Sequence, residues 1–320
     1  MSRGLLLAVV GPTASGKSDL AVALATQLGA EVVNADSMQL YRGMDIGTAK
    51  LSVEQRRGVP HHLLDVWPVT RTATVAEYQD LAVQVVEEVV GRDVLPVLVG
   101  GSGLYVHAVT DRWKFPGTDQ DVRAELEEEL ARVGAPAMHE RLTRLDPDAA
   151  VNILATNGRR IVRALEVVRM QGTFTSRLPS HGAAADDPAN DSAAPPGLPV
   201  RLVGLDVPRE VLDVRIEERV SRMWEAGLVA EVERLVEQGL RDGLTASRAL
   251  GYAQVLRHLD GELSEDETRL LTVRATRRFA RKQDSWFRRD PRITWLPYDS
   301  PTLLADTRSV LEAASAPRLS

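Results

Sequence analysis

The stretch LLLAVVGPTASGKSDLAVALATQLG, residues 5–29, decides how the chain folds. Its first six residues, Leu5 to Val10, are uniformly apolar, as in a strand buried on both faces. Gly11 to Ser18 then fits G-x-x-x-x-G-K-[ST], and Ser18 to Leu28 reads as a helix closed by Gly29. A strand, a glycine-bounded loop and a helix in that order make a phosphate cradle, because backbone N–H groups and the helix N-terminus hold phosphate oxygens. Gly11, Pro12, Thr13, Ala14, Ser15, Gly16, Lys17 and Ser18 are therefore candidate diphosphate-binding residues. Lys17 supplies positive charge, and the Ser18 hydroxyl offers a ligand to Mg²⁺, the expected cofactor. A chance match in a chain of this length has odds of roughly one in a hundred, so an incidental glycine turn carries little weight. Which molecule carries the phosphate is left open.

Outward from this stretch, strand-like and helical segments alternate. Glu31–Ala35 and Val94–Val99 read as strands, and Val75–Val90 reads as a helix with apolar residues at 75, 78, 82, 85, 86 and 89. Such alternation predicts an α/β fold, a parallel sheet of the P-loop NTPase-like kind with helices on both sides. From Asp119 to Gly172 the pattern is purely helical. Residues 179–199 hold six Ala, five Pro and two Gly, and read as a flexible loop. Val200–Val207 restarts as a strand, followed by helices at about 209–239, 245–260 and 264–289. The expected organisation is a first part of the core at 1–111, a helical insertion at 112–178, the loop at 179–199, and the rest of the core with helical C-terminal segments at 200–320.

Composition narrows the function. The 320 residues contain no apolar run near the ~18–20 residues of a membrane span, so no membrane role is expected. The six-residue run before Gly11 is too short for a secretory signal. Without cysteine there is no disulfide and no Cys-ligated metal, which fits a reducing cytoplasm and permits other compartments too; a cytoplasmic protein is expected. The net charge is −6, yet residues 269–292 carry nine Lys/Arg against Asp284 and Asp290. That segment's +7 leaves −13 for the remaining 296 residues, an asymmetry that suggests a dedicated polyanion-binding element.

Several residues invite a chemical reading beside a plainer one. Asp36 lies at the carboxyl end of the second strand, the edge where open parallel sheets bind ligands. It suits a general base or a partner of Mg²⁺, and equally an N-cap for a turn starting at Ser37. GGSGLY at 100–105 is a second loop on that edge or a tight turn. His61 and His62 lack further ligands at metal spacing and suit loop hydrogen bonding. Arg215, Arg219 and Arg222 line one helix face, either solvated or facing a leaving diphosphate. Arg274, Arg278, Arg281 and Arg288 form a stripe with Phe279, Trp286 and Phe287 nearby, suited to an RNA backbone and unstacked bases or to a solvated face.

GPTASGKS at 11–18, NADSMQLYRGMDIGTAK at 34–50, PHHLLD at 60–65, GGSGLY at 100–105, RRIVRALEV at 159–167, LGYAQ at 250–254 and TRRFARKQDSWFR at 276–288 resemble, in order and spacing, the tRNA dimethylallyltransferase family. The resemblance runs from about residue 5 to 296. It implies transfer of a dimethylallyl group from dimethylallyl diphosphate to the exocyclic amine of the adenosine immediately 3′ of the anticodon. The implied fold is a P-loop core whose helical insertion grips the tRNA anticodon arm.

On this resemblance Asp36 matches the general base, Thr13 a residue beside the bridging oxygen, and Arg219 an arginine that steadies the departing diphosphate. Ser18 matches the Mg²⁺ ligand. Asp36, Ser37, Met38, Gln39, Ser102, Arg123, Arg159, Arg160, Ile161, Val162, Arg163, Leu250, Gly251 and Tyr252 match residues that touch the tRNA, joined by the Arg274, Arg278 and Arg281 stripe. Ser102 departs from the usual Thr but keeps the hydroxyl, and Gly158-Arg159 replaces the usual Asp-x-Gln. The chain lacks the Cys/His extension of some eukaryotic members, so a bacterial type is expected, acting as a monomer. Three rivals stand beside this reading: a small-molecule P-loop kinase, a prenyltransferase of free adenine nucleotides, and a non-catalytic RNA-binding protein.

Overall fold

Leu6–Val10 forms strand β1 at the middle of a sheet, and all five side chains are buried, as a run with no polar alternation requires. The computed structural model describes residues 4–111, 113, 115–174 and 198–312. After β1 come α1 (Lys17–Leu28), β2 (Glu31–Asn34), β3 (His61–His62), α2 (Val75–Gly91), β4 (Pro96–Gly100) and α3 (Gly103–Thr110). Helices α4 (Gln120–Leu145), α5 (Pro147–Val151) and α6 (Gly158–Gln171) follow. The chain then returns with β5 (Val200–Asp206), α7 (Arg209–Glu225), α8 (Leu228–Glu237), α9 (Tyr252–Leu259), α10 (Glu265–Phe287), β6 (Ile293–Pro297) and α11 (Leu303–Glu312).

The six strands lie in the order β3-β2-β4-β1-β5-β6, with every pairing parallel. Register brings three strand ends together: Val10 lies opposite Gly100, and Asn34 opposite Val99. The loops after β1, β2 and β4 therefore open on one edge. Gly100 is required there, since a Cβ at this position would come within 2.4 Å of the Ala35 carbonyl oxygen. Helix α1 starts at Gly16 (φ 96°), which offers no side-chain cap, so its first N–H groups are left for a ligand. Helix α10 has the opposite construction, a reciprocal cap between Ser264 and Glu267 followed by three acidic residues in its first turn.

The chain forms two compact units, residues 1–112 with 184–320 and residues 113–183. The first contains the sheet and its flanking helices. The second has its own apolar core, including Leu126, Met138, Leu142, Ile153, Ile161 and Leu165. Within it, α4 is broken at Gly134 (φ 81°, ψ 163°), just before Pro136.

The segment expected as one helix over 209–239 is two, parted by Gly227 in the left-handed region (φ 91°). The segment expected from 245 begins with a short 3₁₀ turn at Ala246–Arg248, and α9 starts only after Gly251 (φ 86°). Strands β3 and β6 and helix α11 had no clear signal: β3 spans two residues, and β6 is a short edge strand behind the basic run. Apart from Leu198 and Pro199, the loop expected at 179–199 lies outside the described residues. No described helix is long and apolar enough to cross a membrane.

Candidate active site

The loop after β1 curls through three positive-φ residues, Gly11 (146°), Ala14 (65°) and Gly16 (96°). Lys17 sends Nζ back to the Pro12 carbonyl at 3.2 Å. Desolvation lowers its pKa to about 8, with the Asp36 carboxylate opposing the shift and Arg219 reinforcing it. Arg219 reaches in from α7, its Nη1 donating to Thr13 Oγ1 at 3.0 Å. Burial lowers the Arg219 pKa, and Arg222 adds to the effect. Among the described residues neither Lys17 nor Arg219 forms an ion pair. Both line a cavity of about 120 Å³ with Thr13, Ser18, Asn34 and Asp36. Two half-buried cations that form no ion pair among the described residues suit a multiply charged anion.

Asp36 is fixed by the residue at the end of β2. Asn34 Oδ1 accepts the Asp36 N–H at 2.9 Å, and Asn34 Nδ2 donates to the carbonyls of Asp36 and Leu63. The buried Tyr78 hydroxyl holds the Asn34 carbonyl at 2.9 Å. Asp36 Oδ1 accepts the Met38 N–H at 2.9 Å, as a turn cap does, and the residue also lines the cavity. Across the edge, Ser102 Oγ lies 3.5 Å from both the Ser37 nitrogen and its hydroxyl.

A second cavity of about 420 Å³ is bounded by α7, α10, residues 245–251 and the segment at 47–48. Its wall is apolar along Val220, Met223, Ala249, Leu250, Ala275 and Phe279, with Arg278 and Lys282 also in its lining. The two cavities share Thr13, Asp36, Thr48 and Arg219. A cavity lined by two cations and a largely apolar one thus meet at a carboxylate, two hydroxyls and a guanidinium. That arrangement suits transfer of a group from a phosphate carrier to a nucleophile.

Thr13, Asp36, Ser37, Met38, Ser102, Arg219, Leu250, Gly251 and Arg278 all line the larger cavity, and Gln39 lines the smaller. Arg274 and Arg281 are exposed on α10. Tyr252 is elsewhere: it is fully buried and donates to Glu231 Oε1 at 2.6 Å. In the helical unit, Ile161 and Val162 are core residues, since they fall on the apolar stripe of α6. Arg123 and Arg163 both bind the fully buried carboxylate of Glu166, while Arg159 and Arg160 are exposed. The expected stripe loses Arg288, which pairs with Asp206 and Asp284 and stacks on Trp295 at 3.9 Å. Phe287 belongs to the core. Arg215 stacks on Tyr298 at 4.5 Å. His61 and His62 make local bonds, to the Val59 carbonyl and to Glu31.

Two residues escaped the sequence reading. Glu231, 2% exposed, accepts the N–H groups of Asp45, Ile46 and Gly47 and so holds the segment that reaches the cavity at Gly47 and Thr48. Gln283, 6% exposed, bridges Thr13 N and the Gly101 carbonyl. Each is a polar residue at an apolar-periodic position, Glu231 among Leu228, Val232 and Leu235, Gln283 between Ala280 and Phe287. That interruption was the available signal.

No cluster of three His, Asp or Glu residues able to hold a metal occurs among the described residues. Ser18 and Asp36 nevertheless line one cavity beside the phosphate loop, and Mg²⁺ is commonly held by one or two protein oxygens together with substrate phosphates and water. The donor set fits that use.

Comparison with known proteins identifies the family. The family described as IPP transferase matches residues 39–290. A tRNA dimethylallyltransferase of Thermobifida fusca is 61% identical over 93% of this chain and 92% of its own. That of Streptomyces griseus is 59% identical over 91% of this chain and 89% of its own. The solved tRNA isopentenylpyrophosphate transferase of Bacillus halodurans superposes with a TM-score of 0.69 at 36% identity, covering 98% of this chain and all of that one. A eukaryotic dimethylallyltransferase, solved acting on tRNA, shares the fold at 22% identity and a TM-score of 0.76, covering 97% of this chain and 78% of that one. A match to the family model over residues 39–290, and identity of this extent over nearly the whole chain, lead to one conclusion: the chain belongs to the tRNA dimethylallyltransferase family of IPP transferases.

Proposed function

We propose that this transferase moves the dimethylallyl group of dimethylallyl diphosphate onto the exocyclic amine of the adenosine immediately 3′ of the anticodon, releasing diphosphate. The observation that carries the reading is the shared boundary of the two cavities at Thr13, Asp36 and Arg219. The smaller cavity suits the diphosphate against Lys17, Ser18 and the open N–H groups of α1. The larger suits an adenine taken out of its stack, with Phe279 and Met223 as apolar surface. As the amine nitrogen bonds to the first allylic carbon, the carbon–oxygen bond breaks and its electron pair leaves on the diphosphate. Asp36 takes the proton shed by the nitrogen. Lys17 and Arg219 face the growing charge, and one such fixed donor contributes about 2.7–4 kcal/mol. Ser18 would hold a Mg²⁺ ion, which would supply neutralising charge to the diphosphate.

The anticodon arm is the proposed partner of the exposed Arg274, Arg278 and Arg281 on α10 and, in the helical unit, of Arg159 and Arg160. In this reading Ile161, Val162 and Tyr252 are structural supports, and Arg123 and Arg163 orient their helices through Glu166. The same proposal has the protein act as a monomer in the cytoplasm.

Asp36→Ala lowers transfer by about 10²–10⁴-fold and leaves tRNA affinity within severalfold. Undiminished transfer by this variant contradicts the base assignment. Lys17 is charged below a pH of about 8 and neutral above it, so affinity for inorganic diphosphate falls as pH rises through that value. Calorimetry on the wild type and on Lys17→Met checks this: the variant binds weakly throughout, and a wild-type affinity that holds across the range refutes it. Replacing Arg278 and Arg281 with Ala weakens tRNA binding and lowers the salt slope by about one for each phosphate no longer neutralised. An unchanged slope means that this face is merely solvated.

A further inference from the structure

Gln283 is the side chain through which the basic helix α10 grips the phosphate loop. Its Oε1 accepts the Thr13 N–H at 2.9 Å, and its Nε2 donates to the Gly101 carbonyl at 2.8 Å. The orientation of the amide is fixed, because a reversed amide would set NH₂ against N–H and oxygen against carbonyl oxygen. Space is fixed as well: a Cβ on Gly101 would lie 2.4 Å from Nε2. Beyond Thr13 the chain of hydrogen bonds continues, since Thr13 Oγ1 accepts from Arg219 at 3.0 Å. A buried amide therefore joins the loop after β4, the loop after β1 and the arginine of α7. The Thr13 N–H, in a loop whose N–H groups commonly face phosphate, is spent on Gln283 instead.

We propose that Gln283 is a positioning residue that sets Thr13, and through Thr13 the guanidinium of Arg219, against the bond that breaks. It acts through Thr13 and takes no proton itself. The inference rests on the transfer reading above and adds a residue to it.

The test is a double-mutant cycle with Thr13→Ala in the prenyl-transfer assay. Gln283→Met removes both hydrogen bonds at nearly constant volume. It lowers kcat by roughly one to two orders of magnitude and leaves tRNA affinity and the KM for the prenyl diphosphate within about threefold. Combining it with Thr13→Ala costs little beyond the worse single change, because the two act on one element. Should Gln283→Met not fold, the same cycle with Gln283→Glu decides, since that change keeps an acceptor for Thr13 but turns an oxygen on the Gly101 carbonyl. Additive losses, an unchanged kcat, or a loss confined to tRNA affinity overturns the proposal. Wild-type turnover in the same assay tests the transfer reading separately.

Discussion

A half-buried guanidinium that forms no ion pair among the described residues is costly for a protein to keep, and the Arg219–Thr13 hydrogen bond is where this fold keeps one. Lys17 lies in the same cavity, its pKa lowered by desolvation. Neither cation is neutralised by an ion pair among the described residues, so their charge is directed at whatever enters. The parallel sheet makes this possible by setting the ends of β1, β2 and β4 in register, with Gly100 letting the β4 loop approach Ala35. A small-molecule kinase would use the phosphate loop and Asp36, but family membership and the 420 Å³ apolar chamber both point to transfer onto a bulky acceptor.

Buried carboxylates do the corresponding work for the chain itself. Glu231 gathers three consecutive backbone N–H groups and the Tyr252 hydroxyl, so two segments distant in sequence share one anchor. Gly47 must be glycine for the same reason, as a Cβ there would meet the Tyr252 ring at 2.5 Å. In the helical unit Glu166 joins Arg123, Arg163 and the N–H of Asp119, which fixes the start of α4 against α6. Each of these carboxylates is satisfied by several donors, which is what makes it tolerable in a low-dielectric interior.

Much of the architecture was legible in the sequence, because its main signals are local. The apolar run before Gly11, the loop motif and the helical period of α1 name β1 and the anion site without reference to anything distant. Asp36 was legible as a strand-end carboxylate, and its double use as turn cap and cavity residue explains why position alone left two readings open. What was not legible depends on contacts across the chain. Tyr252 sits in a motif that resembles a tRNA-contacting segment, yet its ring is a core prop; Ile161 and Val162 follow the same logic on α6. Arg288 has the spacing of the basic stripe, but Asp206 and Trp295 claim it from β5 and β6. Glu231 and Gln283 were visible only as polar interruptions of apolar stripes, and their backbone partners lie 184 to 186 and 182 to 270 residues away.

The central claim, that an anion pocket and an apolar chamber deliver a prenyl group and an adenosine amine to one point, is tested most directly by the product. Purified protein is incubated with unmodified tRNA, Mg²⁺ and dimethylallyl diphosphate, without ATP, and the digested nucleosides are weighed. The account predicts one five-carbon unit on a single adenosine next to the anticodon. Product on free AMP or ADP with none on tRNA, or phosphoryl transfer in place of prenyl transfer, would contradict it.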